Sequence, residues 1–225
     1  MYKDLLNQKK NTKAVVLLSG GMDSTTLLFY CLRIHKEVHA VIIDYNQRHK
    51  KEIDHAIRIA KKANVSITLV NIQLPSFEGS PLVDANTSVP AQQENKQAVT
   101  VVPLRNTFFI LHACAVATSI RAQDVYLGAV EDDQLSYPDC RPVFFDAFQK
   151  LLISQNSEIK INYPFVQFKK DKVVALGQEL GVPWDLTWTC YQGKEKACGQ
   201  CDACKERLHA FQVNDLPDPI EYQKS

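Results

Sequence analysis

The chain is expected to fold as an α/β domain on a doubly wound, mostly parallel sheet, with a small four-cysteine metal subregion at its carboxyl end. Three observations carry this expectation. Short apolar runs alternate with segments of helical period, a glycine-paired bend (SGGMDS) follows directly on the first run, and four of the 7 cysteines crowd into Cys190 to Cys204. Strands alternating with helices favour parallel pairing with helices on both faces, and such sheets bind ligands outside the carboxyl ends of their strands, near the point where strand order reverses.

Ala14 to Leu18 (AVVLL) is a continuous apolar run ending in SGG, as a strand buried on both faces requires. A helix should follow at once, capped by Asp23 or Ser24, with Leu27, Leu28, Cys31 and Leu32 on its apolar face. Val38 to Ile43 reads as a second strand, closed by Asp44. Ile53, Ala56, Ile57 and Ala60 then recur at helical spacing, and Val65 to Ile72 reads as a third strand. The Pro, Ser, Asn and Gln-rich stretch from Pro75 to Pro103 has no usable period and far exceeds an ordinary connection of ~4–6 residues, so it is expected to be a mobile loop. Asn106 or Thr107 should cap an apolar helix running to about Arg121, ahead of a fourth strand over Asp124 to Val130. Helices are expected at Val143 to Ser154 and Lys169 to Leu180, with a short strand around Ile159 to Phe165. Past Gly181 the composition changes. Residues 1–181 should therefore form the α/β domain and residues 182–225 a metal-stapled subregion, with a helix near Ala203 to Gln212 and a Pro-rich tail.

With 225 residues, 45% hydrophobic and 23% charged, the chain can bury a sizeable core, and 8 Gly against 10 Pro exclude a collagen-like repeat. Lys and Arg total 26 against 25 Asp and Glu, a net +1, so no global field gathers nucleic acid and no direct nucleic-acid partner is expected. The longest mostly apolar stretch, Phe108 to Ala117, is about half of the ~20 residues that a membrane span needs. The opening MYKDLLNQKKNTK has no apolar core of a secretion signal, and the expectation is a cytoplasmic protein.

SGGMDS supplies what a phosphate anion needs. Gly20 and Gly21 permit close backbone approach, Ser19 and Ser24 offer hydroxyls, and a helix amino terminus follows. A helix dipole alone contributes only ~0.3–1 kcal/mol. Several amides and hydroxyls, with a Mg²⁺ ion contacted by Asp23, must therefore act together on a polyphosphate. An ordinary capped turn is the plain alternative, but glycines, hydroxyls, preceding strand and following helix all agree with phosphate binding. The loop is neither G-x-x-x-x-G-K-[ST] nor G-x-G-x-x-G, which removes support for a Walker-type phosphotransferase or a nicotinamide dehydrogenase. It resembles the SGGxDS loop of the PP-loop ATP pyrophosphatase superfamily, whose members commonly activate a carboxyl or amide oxygen by adenylation. That resemblance implies ATP binding by the segment Leu18, Ser19, Gly20, Gly21, Met22, Asp23 and Ser24, continued through Thr25, Thr26, Leu27 and Leu28.

Cys198, Cys201 and Cys204 are separated by two successive pairs of residues, and Cys190 lies upstream, so one folded turn brings four thiolates around a tetrahedral ion. Zinc fits best, and four thiolates close the site, which makes the metal structural. Such a site contributes ~10–16 kcal/mol to folding. An odd cysteine count also suits a reducing compartment better than a secreted disulfide framework. An iron–sulfur cluster and a redox C-x-x-C remain as alternatives, although Glu206, Arg207 and Leu208 stand near where a ferredoxin run would place its fourth Cys and Pro.

DYNQRH (Asp44 to His49), VPLRN (Val102 to Asn106), YPDCR (Tyr137 to Arg141), the Asp171-Lys172 pair and TCY…CGQCDAC (Thr189 to Cys204) resemble, in order, the 7-cyano-7-deazaguanine synthases of the queuosine pathway, over about Ala14 to Phe211. The resemblance implies an ATP- and ammonia-dependent conversion of 7-carboxy-7-deazaguanine to the 7-cyano base (preQ0), zinc on the four cysteines, and a homodimer. Within that reading, Arg105 is a phosphate or carboxylate clamp and Lys172 a polyphosphate contact. Asp139 accepts from the ring N–H and exocyclic amine of the base, Tyr137 stacks on it, and His49 faces ATP. Cys140 reads as a small buried thiol and not a nucleophile. The family usually shows Gly at Leu104 and FSG at Gln134-Leu135-Ser136, departures that bear on the shape of the substrate pocket. Two rival readings are a PP-loop tRNA thiolase using cysteines or a cluster, and a zinc-knuckle module binding nucleic acid through Lys194, Lys196, Lys205 and Arg207. The second leaves SGGMDS unexplained.

Overall fold

Five parallel strands form one sheet in the order β3-β2-β1-β4-β5, as seen in a computed structural model that describes Leu6 and residues 10–47, 50–74, 101–192 and 195–223. Most of the expected loop, together with Arg48, His49 and Lys194, lies outside the described residues. The strands are β1 (Lys10–Leu17), β2 (His35–Asp44), β3 (Ser66–Asn71), β4 (Asp124–Tyr126) and β5 (Lys160–Asn162). Between and after them run α1 (Met22–Ile34), α2 (Lys51–Lys62), α3 (Arg105–Ser119), α4 (Pro142–Ser154), α5 (Lys170–Leu180) and α6 (Asp202–Val213).

The alternation of side chains along β1 explains why helices cover both faces. Ala14, Val16 and Leu18 pack with α1, α2 and α5 through Leu27, Leu28, Ile53, Ala56, Val173 and Leu176. Val15 faces the other way, where Val41 and Ile43 meet α3 and α4 through Ile110, Ala113, Phe145 and Phe148. Leu32, expected on the buried face of α1, is exposed, and Ile34 is buried instead. The chain winds outward from β1 to β3 and then returns to β4 on the opposite side of β1. The strand order thus reverses between β1 and β4, which places the crevice above their carboxyl ends.

Two helix starts differ from the sequence expectation. Gly21 is the N-cap of α1 and makes no side-chain cap, so Asp23 and Ser24 lie inside its first turn. Helix α3 begins at Arg105, after Leu104 in the left-handed region at φ 60°, and not at an Asn106 or Thr107 cap. Asn106 instead ties the helix to the YPDCR turn: its N–H donates to Asp139 Oδ2 at 3.3 Å and its side-chain amide to the Asp139 carbonyl at 3.2 Å. Strand β4 stops at Tyr126, short of the expected Val130, and beyond it Gly128 packs so closely on α1 that a Cβ there would lie 3.1 Å from the Ser24 nitrogen.

The segment after Gly181 packs back on the sheet domain, with Met22 and Val174 joining Val182, Trp184, Ala210 and Phe211 in one cluster. Arg207, expected on a basic surface, is fully buried. Its guanidinium grips Asp218 through Nε (2.8 Å) and Nη2 (2.9 Å) and also donates to Thr187 Oγ1 (2.7 Å) and the Trp184 carbonyl (3.1 Å). Removing one partner of such a pair strands a charge away from water. Asp218→Ala should therefore lower unfolding stability by about 3–5 kcal/mol, read by urea denaturation, whereas Glu221→Ala, which breaks the exposed pair with Lys196, should leave the midpoint unchanged.

Candidate functional site

A cavity of about 310 Å³ opens above the carboxyl ends of β1, β2 and β4. Leu18, Ser19, Gly21, Met22, Asp23 and Ser24 line it. The bend is held by its own hydroxyls: the Ser19 N–H donates to Ser24 Oγ at 3.2 Å, the Ser19 and Ser24 hydroxyls meet at 3.0 Å, and the Gly21 N–H donates to Ser19 Oγ at 3.3 Å. Thr25 Oγ1 donates to the Gly21 carbonyl at 2.7 Å, which ties the loop to the helix it starts. With no side chain capping α1, an incoming anion is the natural cap for the amides of its first turn. Gly20 is the pivot. Its φ is +86°, and a Cβ there would stand 2.6 Å from the Glu52 carbonyl oxygen and 2.9 Å from the Ala56 nitrogen. Thr25, Thr26, Leu27 and Leu28 are fully buried within α1 and do not line the cavity.

The lysine at the cavity is Lys170, not Lys172, which sits on the same helical turn with its side chain exposed. Residues two apart on a helix point in divergent directions, so only one of them reaches inward. Lys170 Nζ lies 3.4 Å from Asp23, 3.3 Å from Asp133 and 3.4 Å from Glu206. Burial opposes its charge, but the three carboxylates outweigh burial and hold its ammonium well above the ordinary lysine range. Asp23 keeps Oδ1 buried without a partner.

Arg105, at the start of α3, lines another part of the cavity beside Tyr45, Phe109 and Tyr137. Its guanidinium lies 5.9 Å from the Phe109 ring centroid, and its Nε is buried without a partner. A fixed cation among aromatic rings with an unused donor suits a carboxylate. Tyr137 lines the cavity and is hydrogen-bonded to Tyr191. Asp139 does not line it; the carboxylate expected to read a ligand instead accepts the N–H of Asn106 in the first turn of α3. Cys140 borders the cavity, but burial pushes its thiol up to about 12, which leaves no thiolate for attack. Glu52, in the first turn of α2, also lines the cavity, and burial lifts its carboxyl to about 7 against the pull of Arg105.

Cys190, Cys198, Cys201 and Cys204 converge, with their sulfurs all within 4.8 Å of one another. Backbone N–H groups point at two of the sulfurs: those of Gln192 and Cys198 at Cys190 (3.4 and 3.3 Å), and those of Gln200 and Cys201 at Cys198 (3.4 and 3.3 Å). Cys201 is the N-cap of α6, a position that favours a thiolate. Four clustered soft donors with amides aimed at them fit one tetrahedral metal ion. The segment reaches the cavity directly, since Trp188, Thr189 and Tyr191 line it and the Trp188 N–H donates to the Gly20 carbonyl at 2.9 Å.

Sequence reasoning missed Lys170, Asp133, Glu206 and Glu52. Asp133 had a signal, since it follows the fourth apolar run and the carboxyl end of a strand is where ligands bind. The other three are placed by helix orientation, which no short motif encodes. The pivot generates a prediction: Gly20→Ala forces a strained φ and a backbone collision, and should weaken ATP binding by about tenfold or more while leaving the chain folded, as measured by calorimetry and circular dichroism.

A 7-cyano-7-deazaguanine synthase from Nostoc punctiforme is 43% identical over 222 residues, covering 93% of this chain and 99% of its own length. Another from Thermoplasma acidophilum is 42% identical over 221 residues, covering 94% and 92%. Among solved structures, an NMN synthetase from Francisella tularensis shares the fold, with a TM-score of 0.54 at 14% identity over 96% of this chain and 85% of that one. The family model for queuosine biosynthesis protein QueC matches residues 13–215, and with relatives this similar along nearly the whole length, the chain belongs to the QueC family.

Proposed function

We propose that the chain converts 7-carboxy-7-deazaguanine, ammonia and ATP into 7-cyano-7-deazaguanine, as an ATP-dependent carbon–nitrogen ligase that supplies a precursor of queuosine. The observation that carries this reading is that an uncapped phosphate loop and a buried, partly unpaired arginine face one cavity. The first suits a polyphosphate and the second a carboxylate, which are the two groups an adenylation must bring together.

A carboxylate is a poor electrophile at neutral pH. With the substrate carboxylate on Arg105 and the triphosphate on Ser19 to Ser24, a carboxylate oxygen attacks the α-phosphorus and pyrophosphate leaves. Ammonia then adds to the acyl carbon and AMP departs with the carboxyl oxygen, giving an amide and a released proton. The amide oxygen attacks the α-phosphorus of a second ATP and a second pyrophosphate leaves; loss of the two nitrogen protons and of AMP then leaves the nitrile. Amides of the loop and Lys170 stabilise charge as it builds on phosphate. Asp23, with one oxygen buried and unpartnered, would hold a Mg²⁺ ion, which when bound supplies neutralising charge. Tyr137 borders the cavity as a stacking surface for the base.

Zinc is the proposed metal of the four cysteines, with residues 182–225 as the subregion it staples to residues 1–181. A homodimer and a cytoplasmic site of action belong to the same reading. No helix among the described residues is long and apolar enough to cross a membrane.

Turnover of substrate carrying ¹⁸O in its carboxyl group tests the reaction: nitrile should form and the label should appear in AMP. Absence of nitrile from metal-replete protein rejects the function, and label appearing only in inorganic phosphate rejects attack at the α-phosphorus. Metal analysis of purified protein should find one zinc per chain, and its removal by chelation should unfold α6 and abolish ATP binding. Stoichiometric iron with visible charge-transfer absorbance would replace zinc by a cluster.

A further inference from the structure

Four carboxylates line the cavity: Asp23, Glu52, Asp133 and Glu206. Three of them surround Lys170 at 3.3 to 3.4 Å. Glu52 is different. It lines the cavity and is drawn on by the charge of Arg105, but its carboxylate makes no hydrogen bond or ion pair with a described residue. A half-buried carboxylate without donors of its own loses hydration, and the pull of Arg105 does not make up for that loss, so its place in a ligand cavity is accounted for by donors that arrive with the ligand.

The proposed substrate brings such donors. A deazaguanine carries a ring N–H beside an exocyclic amine, two parallel donors that match the two oxygens of one carboxylate. Asp139, expected from sequence to meet them, is outside the cavity lining and accepts the Asn106 N–H. We infer that Glu52 reads the guanine edge of the base, an inference that rests on the function proposed above.

The placement of Glu52 supports this role. Helix α2 packs on one face of the sheet through Ile53, Ala56 and Ile59, whereas α3 packs on the other through Ile110, Ala113 and Ala117. Glu52 and Arg105 therefore reach the cavity from helices on opposite faces and meet over the carboxyl edge of the sheet. A flat base with a carboxylate on one side and paired N–H donors on another needs complementary groups that approach from different directions. Aromatic side chains of Tyr45, Phe109 and Tyr137 border the same cavity and offer surfaces for the ring. The Glu52 backbone is fixed as well, because the first turn of α2 rests against Gly20 with no room for a Cβ between them. The carboxylate is thereby held beside the phosphate loop.

The test compares the binding of 7-deazaguanine and 7-deazahypoxanthine, which lacks the exocyclic amine, to metal-loaded wild type, Glu52→Gln and Glu52→Asp, by calorimetry. Wild type should prefer 7-deazaguanine by about tenfold to a hundredfold, the loss of a hydrogen bond to a charged acceptor. Glu52→Gln should bind the two bases within about threefold of each other, because it presents a donor where an acceptor is needed. Glu52→Asp should keep the order of preference, and all three proteins should bind ATP alike, which separates edge reading from damage to the fold. An unchanged preference in Glu52→Gln, or none in wild type, overturns the inference. So does a variant that slows amide formation equally for guanine-type and hypoxanthine-type carboxylates with the preference intact, since Glu52 would then serve the ammonia step. Nitrile formation by wild type is scored separately. Its absence alongside a Glu52-dependent preference rejects the proposed reaction and keeps the edge reading, while its presence with an indifferent Glu52 rejects only the latter.

Discussion

The contact on which the site depends is the missing side chain of Gly20. At φ +86° its backbone turns out of β1, its α-carbon lies against the Glu52 carbonyl and the Ala56 nitrogen, and its own carbonyl accepts the Trp188 N–H at 2.9 Å. Three parts of the chain far apart in sequence are thereby locked around one residue. The phosphate loop, the first turn of α2 with Glu52, and the segment leading to Cys190 cannot be displaced independently. A methyl group there would separate all three, which is why glycine is required for tertiary closeness as well as for the bend.

That lock couples the cysteine cluster to the cavity. Four sulfurs within 4.8 Å of one another cannot all be thiolates without a cation between them. Trp188 lies two residues from Cys190; its indole donates to the Cys190 carbonyl at 3.1 Å, and its ring sits under the Lys51 ammonium at 3.6 Å. Glu206 follows Cys204 on α6 and reaches Lys170. On the proposed reading, a metal far from the reacting atoms still shapes them, because one short segment is both metal ligand and cavity wall.

Much of this architecture is legible in the sequence, and its failures have physical causes. Apolar runs mark strands buried on both faces whatever their partners, and a cysteine spacing constrains one local turn, so both survive without tertiary knowledge. β4 reads too long because Leu127, Ala129 and Val130 are buried outside the strand, and burial alone does not distinguish strand from packed coil. The exchange of Lys172 for Lys170 has another origin. Both lie in the first turn of α5, and only the docking of α5 against α1 decides which points inward. Asp139 shows that a motif can mark a contact between elements: YPDCR and VPLRN come together because one caps the helix that begins in the other.

Charge divides the cavity in a way that constrains the order of events. Around Lys170 three carboxylates crowd one ammonium, and burial pushes those of Asp23 and Glu206 upward, so that region offers a bare polyphosphate little net positive charge. On the proposed reading, phosphate enters there partnered by cations, with the loop amides taking the oxygens that remain. Arg105 has the opposite character: a cation walled by aromatic rings, where a hydrated polyphosphate–metal complex would lose its water without adequate replacement and a flat aromatic carboxylate would not. On the proposed reading, the two substrates are thus sorted by desolvation as much as by shape, and the carboxylate meets phosphorus where these regions adjoin, beside the loop that Gly20 turns.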